Sequence, residues 1–443
     1  MKPIISDEIV AVDAWEVLDS RGSPTVACLV TLADGSTGTV SVPSGASTGR
    51  HEAHELRDQG TRYQGKGVLI AAQNARGALA AAVIGRSAGE QRSIDEALRA
   101  ADGSPMLSNL GANAVLAVSL AVAHASAAHR SQPLWQTLGS EPMIPLPMVN
   151  IISGGAHAGG LIDIQDLLVV PVGATSFAEA IEWCAEVRCA TGRVADELGI
   201  ASSLVADEGG IAGKLGSNRA GLTLLAAGVE RSGLALGSQI GFAIDVAATQ
   251  FVDEHGCYVL ASEGRVLDAG EWIDEVASWC RDFPIVSVED IVSEDDWSGW
   301  EYATELLSHI QLLGDDLFVT NLVRLQRGIS SEVANAVLVK VNQNGTLTGG
   351  RDVIEHARKH GYATVVSARS GETEDHWLAD LAVGTQAGQI KVGSTTRSER
   401  TSKWNRLLHI ERTVGADAYV GGSAIVPTRL DRLDQSSKDR GNG

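Results

Sequence analysis

A series of short apolar segments after Met148 constrains the fold of this chain most strongly. The segments are near-continuous in Val, Ile and Leu, which indicates strands covered on both faces, and helical segments separate them. The candidate strands are Leu167–Val170, Gly241–Ile244, Ile285–Val288, Gln311–Leu313, Ala336–Val339, Ala363–Val366 and a segment at Ile390. About eight such strands over about 290 residues predict a closed β/α barrel. An open doubly wound sheet is the alternative, although no GxGxxG turn follows an early strand.

The region before the barrel has a different pattern. Three β-rich segments come first, at Ile9–Leu18, Thr25–Leu32 and Ser36–Val42, and an alanine-rich helical region follows from Gly67 to about Arg130. This order predicts an α+β domain, with a proline-rich boundary after it. The predicted divisions are an N-terminal α+β capping domain at 1–135, a barrel at 145–432 and a polar tail at 433–443.

Charge and cysteine content narrow the function classes. The 443 residues carry 55 acidic and 35 basic side chains, a net charge of −20, which argues against nonspecific nucleic-acid binding. We expect no membrane partner, because the N-terminus lacks a signal-peptide core and we expect no run long enough to span a bilayer. The five cysteines form no metal-binding spacing and predict reduced thiols in a cytoplasm.

Three predicted strands end on carboxylates: Asp245, Glu289 and Asp315. Because parallel strands of a barrel end at one rim, these groups should converge, and they can stay ionised together only around a cation. Oxygen ligands without His or Cys favour Mg²⁺ or Mn²⁺. The alternative is that each carboxylate caps the helix that follows it.

A basic set ends three other strands: Lys340, Arg369 and Lys391, with Ser370 beside the arginine. The guanidinium and hydroxyl at the end of Ala363–Val366 suit a phosphate or carboxylate, although a solvated surface turn is the alternative. We expect a depressed pKa for Lys340, which faces a metal and other cations, so that it acts as a base. The two sets together predict a site for a doubly anionic substrate.

Several motifs extend this pattern along nearly the whole chain. They are Ser20–Val26, Ser44–Gly49, Asp207–Gly210, Gly314–Asn321, Lys340–Gln343, Ser370–Asp375 and Gly384. In order and number they resemble those of the enolase family. The resemblance implies a small α+β cap on a TIM-like barrel that begins ββαα, a small phosphorylated carboxylate as substrate, and a homodimer or dimer-based octamer.

The resemblance also implies roles for single positions. Asp245, Glu289 and Asp315 match ligands of a tightly bound Mg²⁺, and Ser47 matches a loop serine that reaches a second, substrate-dependent Mg²⁺. Lys340 matches the base that takes the C2 proton of 2-phosphoglycerate, and Glu208 the acid that helps expel the C3 hydroxyl. The remaining matches are Arg369 and Ser370 for phosphate, Lys391 for substrate, and His157, Gln165 and Asp166 as further active-site positions.

The chain departs from the family at the leaving-hydroxyl end of this site. Ala368 replaces a histidine, Asp166 a glutamate, and Arg50 and the pair Gly159-Gly160 alter neighbouring loops. The base, metal and phosphate set is intact. The resemblance therefore implies abstraction of the C2 proton of 2-phosphoglycerate to give an enolpyruvyl product such as phosphoenolpyruvate. Two alternatives are a paralogue such as carboxyphosphonoenolpyruvate synthase, which adds an activated phosphonoformate in phosphonate biosynthesis, and a non-catalytic binding protein.

Overall fold

A computed structural model describes residues 6–45 and 49–425 of the chain. Ser47 and the predicted tail 433–443 lie outside the described residues. The first sheet is antiparallel, in the order β1-β2-β3, and consists of β1 (Ile9–Leu18), β2 (Pro24–Leu32) and β3 (Thr37–Ser41). The helices that follow are α1 (Leu69–Asn74), α2 (Ala80–Val83), α3 (Gln91–Asp102), α4 (Ala112–His129) and α5 (Leu134–Leu138). A π-helical turn, Ala75–Leu79, joins α1 to α2.

Helix α4 forms the centre of this domain. It is apolar on all sides and nearly all of its residues are buried, which is the pattern of a helix packed on every face. It lies directly on strand β3, where a Cβ on Gly38 would come within 2.2 Å of Ala121 O and Ala125 N. Among the described residues it is also the one helix long and apolar enough to cross a membrane, which corrects the expectation of no such run. Because 83% of it is buried inside the protein, the packed core accounts for its composition.

The second region contains a closed barrel. Its strands, in chain order, are β4 (Leu146–Ser153), β5 (Asp166–Val170), β6 (Ile211–Ala212), β7 (Gly241–Asp245), β8 (Tyr258–Leu260), β9 (Arg265–Leu267), β10 (Ile285–Glu289), β11 (Gln311–Gly314), β12 (Ala336–Val339), β13 (Ala363–Ser367) and β14 (Gln389–Gly393). The ring runs β4-β5-β7-β10-β11-β12-β13-β14 and closes through a β14–β4 pairing. Strand β6 pairs in parallel with the last two residues of β4, and β8 pairs antiparallel with β9. The predicted barrel with a capping α+β domain is confirmed.

The barrel helices surround this ring. They are α6 (Phe177–Glu197), α7 (Asn218–Ser232), α8 (Ala269–Asp282), α9 (Trp297–Leu306), α10 (Leu322–Ser330), α11 (Val341–Asn344), α12 (Leu347–Lys359), α13 (Trp377–Gly384) and α14 (Ser398–Val414). Strand β5 runs antiparallel to both β4 and β7, and α6 and α7 follow it, so the barrel begins ββαα as the resemblance implies.

Apolar side chains fill the barrel interior away from the carboxyl ends of the strands. This cluster comprises Leu146, Met148, Leu168, Val170, Ala243, Leu313, Ala336, Leu338 and Val365. Such a packed interior leaves no pore, so polar groups collect at the rim where most strands end. A polar cavity lies at that rim, and the capping domain contributes Glu52 to its wall.

Candidate active site

Two of the predicted carboxylates meet at neighbouring strand ends. Asp245 ends β7 and Glu289 ends β10, and the two residues are register partners in the sheet. Both are 2% exposed. Lys391, from β14 across the barrel, donates from Nζ to Asp245 Oδ2 at 2.6 Å and to Glu289 Oε2 at 2.7 Å. The structure therefore brings this predicted substrate lysine and two predicted metal ligands into one buried ion-pair group.

The third predicted carboxylate, Asp315, lies beside Lys340. Lys340 Nζ donates to Asp315 Oδ2, and Gln343 Nε2 donates to Asp315 Oδ1 at 2.8 Å. Burial lowers the pKa of Lys340, but Asp315 and Glu289 together outweigh burial and raise that pKa above its ordinary value. The expectation of a depressed pKa for Lys340 is therefore wrong for this arrangement of side chains, because a lysine paired with a carboxylate holds its proton more firmly.

Asp315 also belongs to a group of three carboxylates that sequence reasoning overlooked in part. Oxygens of Asp290, Asp315 and Asp316 lie within 4.8 Å of one another. Asp290 accepts the backbone N–H groups of Asp315 at 3.0 Å and Asp316 at 2.8 Å. Burial, followed by the charge of Asp315, raises the pKa of Asp316 to about 7. The doublet Asp315-Asp316 after a strand was the available signal for this group.

The donor set at this rim fits a hard divalent cation. Every candidate ligand is a carboxylate oxygen, which is what Mg²⁺ prefers. Glu289 Oε1 is buried and has no hydrogen-bond partner among the described residues. An oxygen left without a donor in this position is a ready ligand. The rim therefore contains acidic groups that could hold a metal ion.

The predicted phosphate-binding turn is buried. Arg369 is 4% exposed and donates from Nη1 to Glu52 Oε2 at 2.9 Å and to Asn342 Oδ1 at 3.2 Å. Burial lowers the pKa of Arg369, but Glu52, Asp315 and Glu55 together outweigh burial and raise it. Ser370 Oγ accepts from Arg21 Nη1 at 3.0 Å. The surface-turn alternative does not hold for these two side chains, because both line the cavity.

Three further residues form a chain of contacts across the rim. Asp166 Oδ2 lies 3.1 Å from His157 Nδ1, and His157 Nε2 lies 4.0 Å from Glu208 Oε1. Asn150 Nδ2 and Ser153 Oγ hold the other oxygen of Asp166. His157 thus stands between the two carboxylates, so Asp166 acts on Glu208 through an imidazole.

These contacts set the protonation of the group. Burial lowers the pKa of His157, but Asp166 and Glu208 outweigh burial and raise that pKa to about 9. Burial also raises the pKa of Glu208, yet His157, Arg400 and the lysines bring the pKa of Glu208 below its ordinary value. Near pH 7 the proton of this pair therefore resides on His157.

Gln165 connects the rim to a residue that sequence reasoning missed. Gln165 Nε2 donates to Asp245 Oδ2 at 3.0 Å, and Gln250 Nε2 donates to Gln165 Oε1 at 2.6 Å. Gln250 Oε1 also accepts the N–H of Ala156 at 3.2 Å. Gln250 thus ties the turn before His157 to the candidate metal ligand Asp245. No motif in the sequence pointed to Gln250, and the same is true of Glu52.

Two of the positions that depart from the family pattern, Ala368 and Arg50, lie in different places relative to the cavity. Ala368 lines the cavity and is 5% exposed, and its N–H donates to Lys391 O at 2.9 Å. Arg50 instead lies at the surface, where Nη1 is 3.5 Å from Asp295 Oδ2. The site thus lacks a polar side chain at position 368, while Arg50 pairs with an acid outside the cavity.

The fold and the site together define a capped β/α-barrel protein whose rim suits a small anion and a divalent cation. A family model described as the enolase N-terminal domain matches residues 9–138, and one described as the enolase C-terminal TIM barrel domain matches residues 141–428. A protein of Rubrobacter xylanophilus named enolase is 49% identical over 425 residues, which cover 95% of this chain and 98% of that relative. The chain belongs to the enolase family and is an enolase-like lyase.

Proposed function

We propose that the chain is a Mg²⁺-dependent lyase that converts 2-phosphoglycerate to phosphoenolpyruvate and water. The observation that carries this proposal is that Lys340, in contact with Asp315, lines the same cavity as the buried Arg369. One small substrate in this cavity would then meet a base, Lys340. It would also meet a carboxylate that can hold a metal ion, Asp315, and a guanidinium that can bind phosphate, Arg369. Family membership supports the same reaction.

Asp245, Glu289 and Asp315 would hold one Mg²⁺, and a second would bind only with substrate, through Ser47. When bound, the ions would neutralise the negative charge that develops on the substrate carboxylate as the C2 proton leaves. Lys391 bridges Asp245 and Glu289, so it would have to turn toward the substrate as a cation binds. Lys391 would then pair with substrate charge, as the family resemblance implies.

The chain's own residues account for the proton movements. Lys340 takes the proton from C2 once its contact with Asp315 is broken, because that contact otherwise keeps the amine protonated. The electron pair left on the carbon forms the C2–C3 double bond. The C3–O bond breaks, and the departing hydroxyl takes a proton from the His157–Glu208 pair and leaves as water. Arg369 and Ser370 hold the phosphate throughout. Because Ala368 offers no proton, His157 supplies the one that passes through Glu208.

The experiment follows the ultraviolet absorbance of phosphoenolpyruvate after Mg²⁺ and 2-phosphoglycerate are added to the purified protein. We expect turnover by the native chain and a loss of about 10²–10⁴-fold in Lys340→Ala. Turnover no greater than that of Lys340→Ala would overturn the proposal. Hydrogen exchange at C2, measured in deuterated water, reports the first half of the reaction separately from the release of water.

The comparisons give no support to a second, phosphonate substrate or to a non-catalytic binding protein. Product analysis with and without an activated phosphonoformate separates the first alternative from simple dehydration. If an enolpyruvyl ester of the phosphonate, joined through a P–O–C bond, forms at the expense of phosphoenolpyruvate, the dehydration proposal fails.

We further propose that the chain is a homodimer or a dimer-based octamer in a reducing cytoplasm. Family membership supports a homo-oligomer. All five cysteines, of which Cys28 and Cys184 are buried, are free thiols, which supports a reducing compartment. Light scattering during size-exclusion chromatography tests the oligomer, and a monomer at micromolar concentration would contradict it.

A further inference from the structure

Arg400 makes an unusual set of contacts behind the active site. It lies on α14 and is 0% exposed. Its guanidinium donates to four backbone carbonyls: from Nη1 to Arg369 O at 2.7 Å and Val392 O at 3.0 Å, and from Nη2 to Ser370 O at 2.5 Å and Asp207 O at 3.4 Å. Its nearest carboxylate oxygen, Glu399 Oε1, lies 3.5 Å from Nε.

Each of these carbonyls belongs to, or lies next to, a candidate site residue. Two belong to Arg369 and Ser370 themselves. Val392 follows Lys391, and Asp207 precedes Glu208. These residues come from three separate segments of the barrel, so one side chain fixes their relative positions. A planar guanidinium with five donors can do this, whereas a lysine presents a single point charge.

The surroundings leave Arg400 little freedom. A Cβ on Gly393 would lie 2.9 Å from Arg400 Cδ and 2.8 Å from Glu208 O. Ser394 N donates to the same Glu208 carbonyl at 2.8 Å. The segment after Lys391 is therefore packed tightly between Arg400 and Glu208, and a shift of the guanidinium would move both.

We propose that Arg400 is a positioning residue that holds the phosphate-binding turn, Lys391 and the acid Glu208 in register. The proposal rests on the proposed function for its kinetic readout. Among the described residues, the hydrogen bonds of the Arg400 guanidinium go to backbone carbonyls, so it acts on the site through the backbone. Its positive charge also lies close enough to Glu208 to help lower the pKa of that carboxyl.

The test compares Arg400→Lys and Arg400→Met with a matched control, Arg406→Met. Arg406 lies on the same helix and pairs with Asp380, at 2.8 Å from Nε and 2.6 Å from Nη2, away from the cavity. The Arg406→Met variant shows how much stability the chain loses when a partly buried arginine of α14 is removed without disturbing the active site. Thermal unfolding of all three variants gives that contribution.

We expect Arg400→Lys to lower kcat about 10²-fold, because misplacement of about 1 Å in a reacting group has that effect, while Arg406→Met stays within about threefold of the native chain. Arg400→Met should also move the pH limb that belongs to Glu208 to higher pH, since a nearby cation is gone. Arg400→Lys should leave that limb in place. If neither Arg400 variant slows turnover more than Arg406→Met, or if both leave the pH limb unchanged, the proposal is wrong.

A second readout separates this inference from the proposed function. Calorimetry measures the binding of 2-phosphoglycerate with Mg²⁺, independently of turnover. If the native chain binds 2-phosphoglycerate but does not turn it over, the proposed function is wrong. The positioning role still holds in that case if binding is weakened at least about tenfold in Arg400→Lys and is unchanged in Arg406→Met. Equal binding by native chain and Arg400→Lys would overturn the positioning role.

Discussion

His157 Nδ1 lies 3.1 Å from Asp166 Oδ2, and this contact joins a short turn to the one barrel strand that runs against its neighbours. Asp166 is 0% exposed, so its charge acts on the imidazole with little screening by water. The contact therefore keeps His157 protonated, and this is the proton that the departing C3 hydroxyl would receive.

Asp166→Asn should lower the pKa of His157 from about 9, because the strongest influence that raises it is removed. The native imidazole is charged below that pH and neutral above it, so the variant loses the charge at a lower pH. Activity relative to the native chain should therefore fall as pH rises from about 6.5 to about 9. The ring resonance of His157, assigned with His157→Gln, gives the pKa directly, and an unchanged titration would contradict the prediction.

Ala368→His should raise dehydration relative to C2 hydrogen exchange. Position 368 lines the cavity beside Lys391, and an imidazole there adds a proton donor where alanine has none. General acids contribute about 10²–10⁴-fold, and we expect a gain of roughly tenfold or more in the ratio of dehydration to exchange. Ala368→Leu adds similar bulk without a proton and serves as the control. An equal ratio in both variants would mean that His157 alone serves this step.

Mg²⁺ should stabilise the folded chain through the rim carboxylates. A ligand at 100 times its Kd raises the free energy of unfolding by about 2.7 kcal/mol, and removal of Asp245 should abolish most of that gain. Asp282→Asn is the control, since Asp282 pairs with Arg219 at the surface. The measurement is the unfolding free energy in EDTA and in saturating Mg²⁺. Equal gains for Asp245→Asn and Asp282→Asn would place the ion elsewhere.

Gly38→Ala should destabilise the capping domain. Its Cβ would stand 2.2 Å from backbone atoms of α4, which cannot move without unpacking the helix from the sheet. Overpacking costs about 1–3 kcal/mol, and a backbone clash should reach the upper end. Gly77→Ala is matched to it, because nothing lies within 4 Å of its Cβ and the site is helical, so a gain of about 0.5–1 kcal/mol is expected. Denaturant unfolding measures both, and equal stabilities would refute the packing argument.

The sequence predicted which site residues lie at the rim wherever their position depends only on the direction of a strand. Asp245, Glu289 and Lys391 come at the carboxyl ends of parallel strands, so one rule placed them together. Asp166 begins its strand, and only the reversed direction of β5 brings it to the same rim. Neither apolar runs nor charges reveal such a reversal, and the family resemblance alone pointed to Asp166 and His157.

Other features depend on contacts between distant segments. Strand β4 was not among the predicted strands, because Pro145 and Pro147 indicated a boundary, yet Pro147 lies inside the strand. The depressed pKa expected for Lys340 was wrong, since Asp315 is its direct partner. The sequence did not predict a role for Arg400, because its partners are backbone carbonyls, which no pattern of side chains reveals.

The pairing of Glu52 with Arg369 has a consequence for how this protein can be altered. The capping domain supplies a carboxylate to a guanidinium that is 4% exposed in the barrel, so neither domain has a complete rim alone. A barrel expressed without its cap would lose the Glu52 carboxylate that balances the charge of Arg369. Chimaeras that exchange caps between relatives must therefore bring an acid to this position, and the two domains are expected to have changed together in evolution.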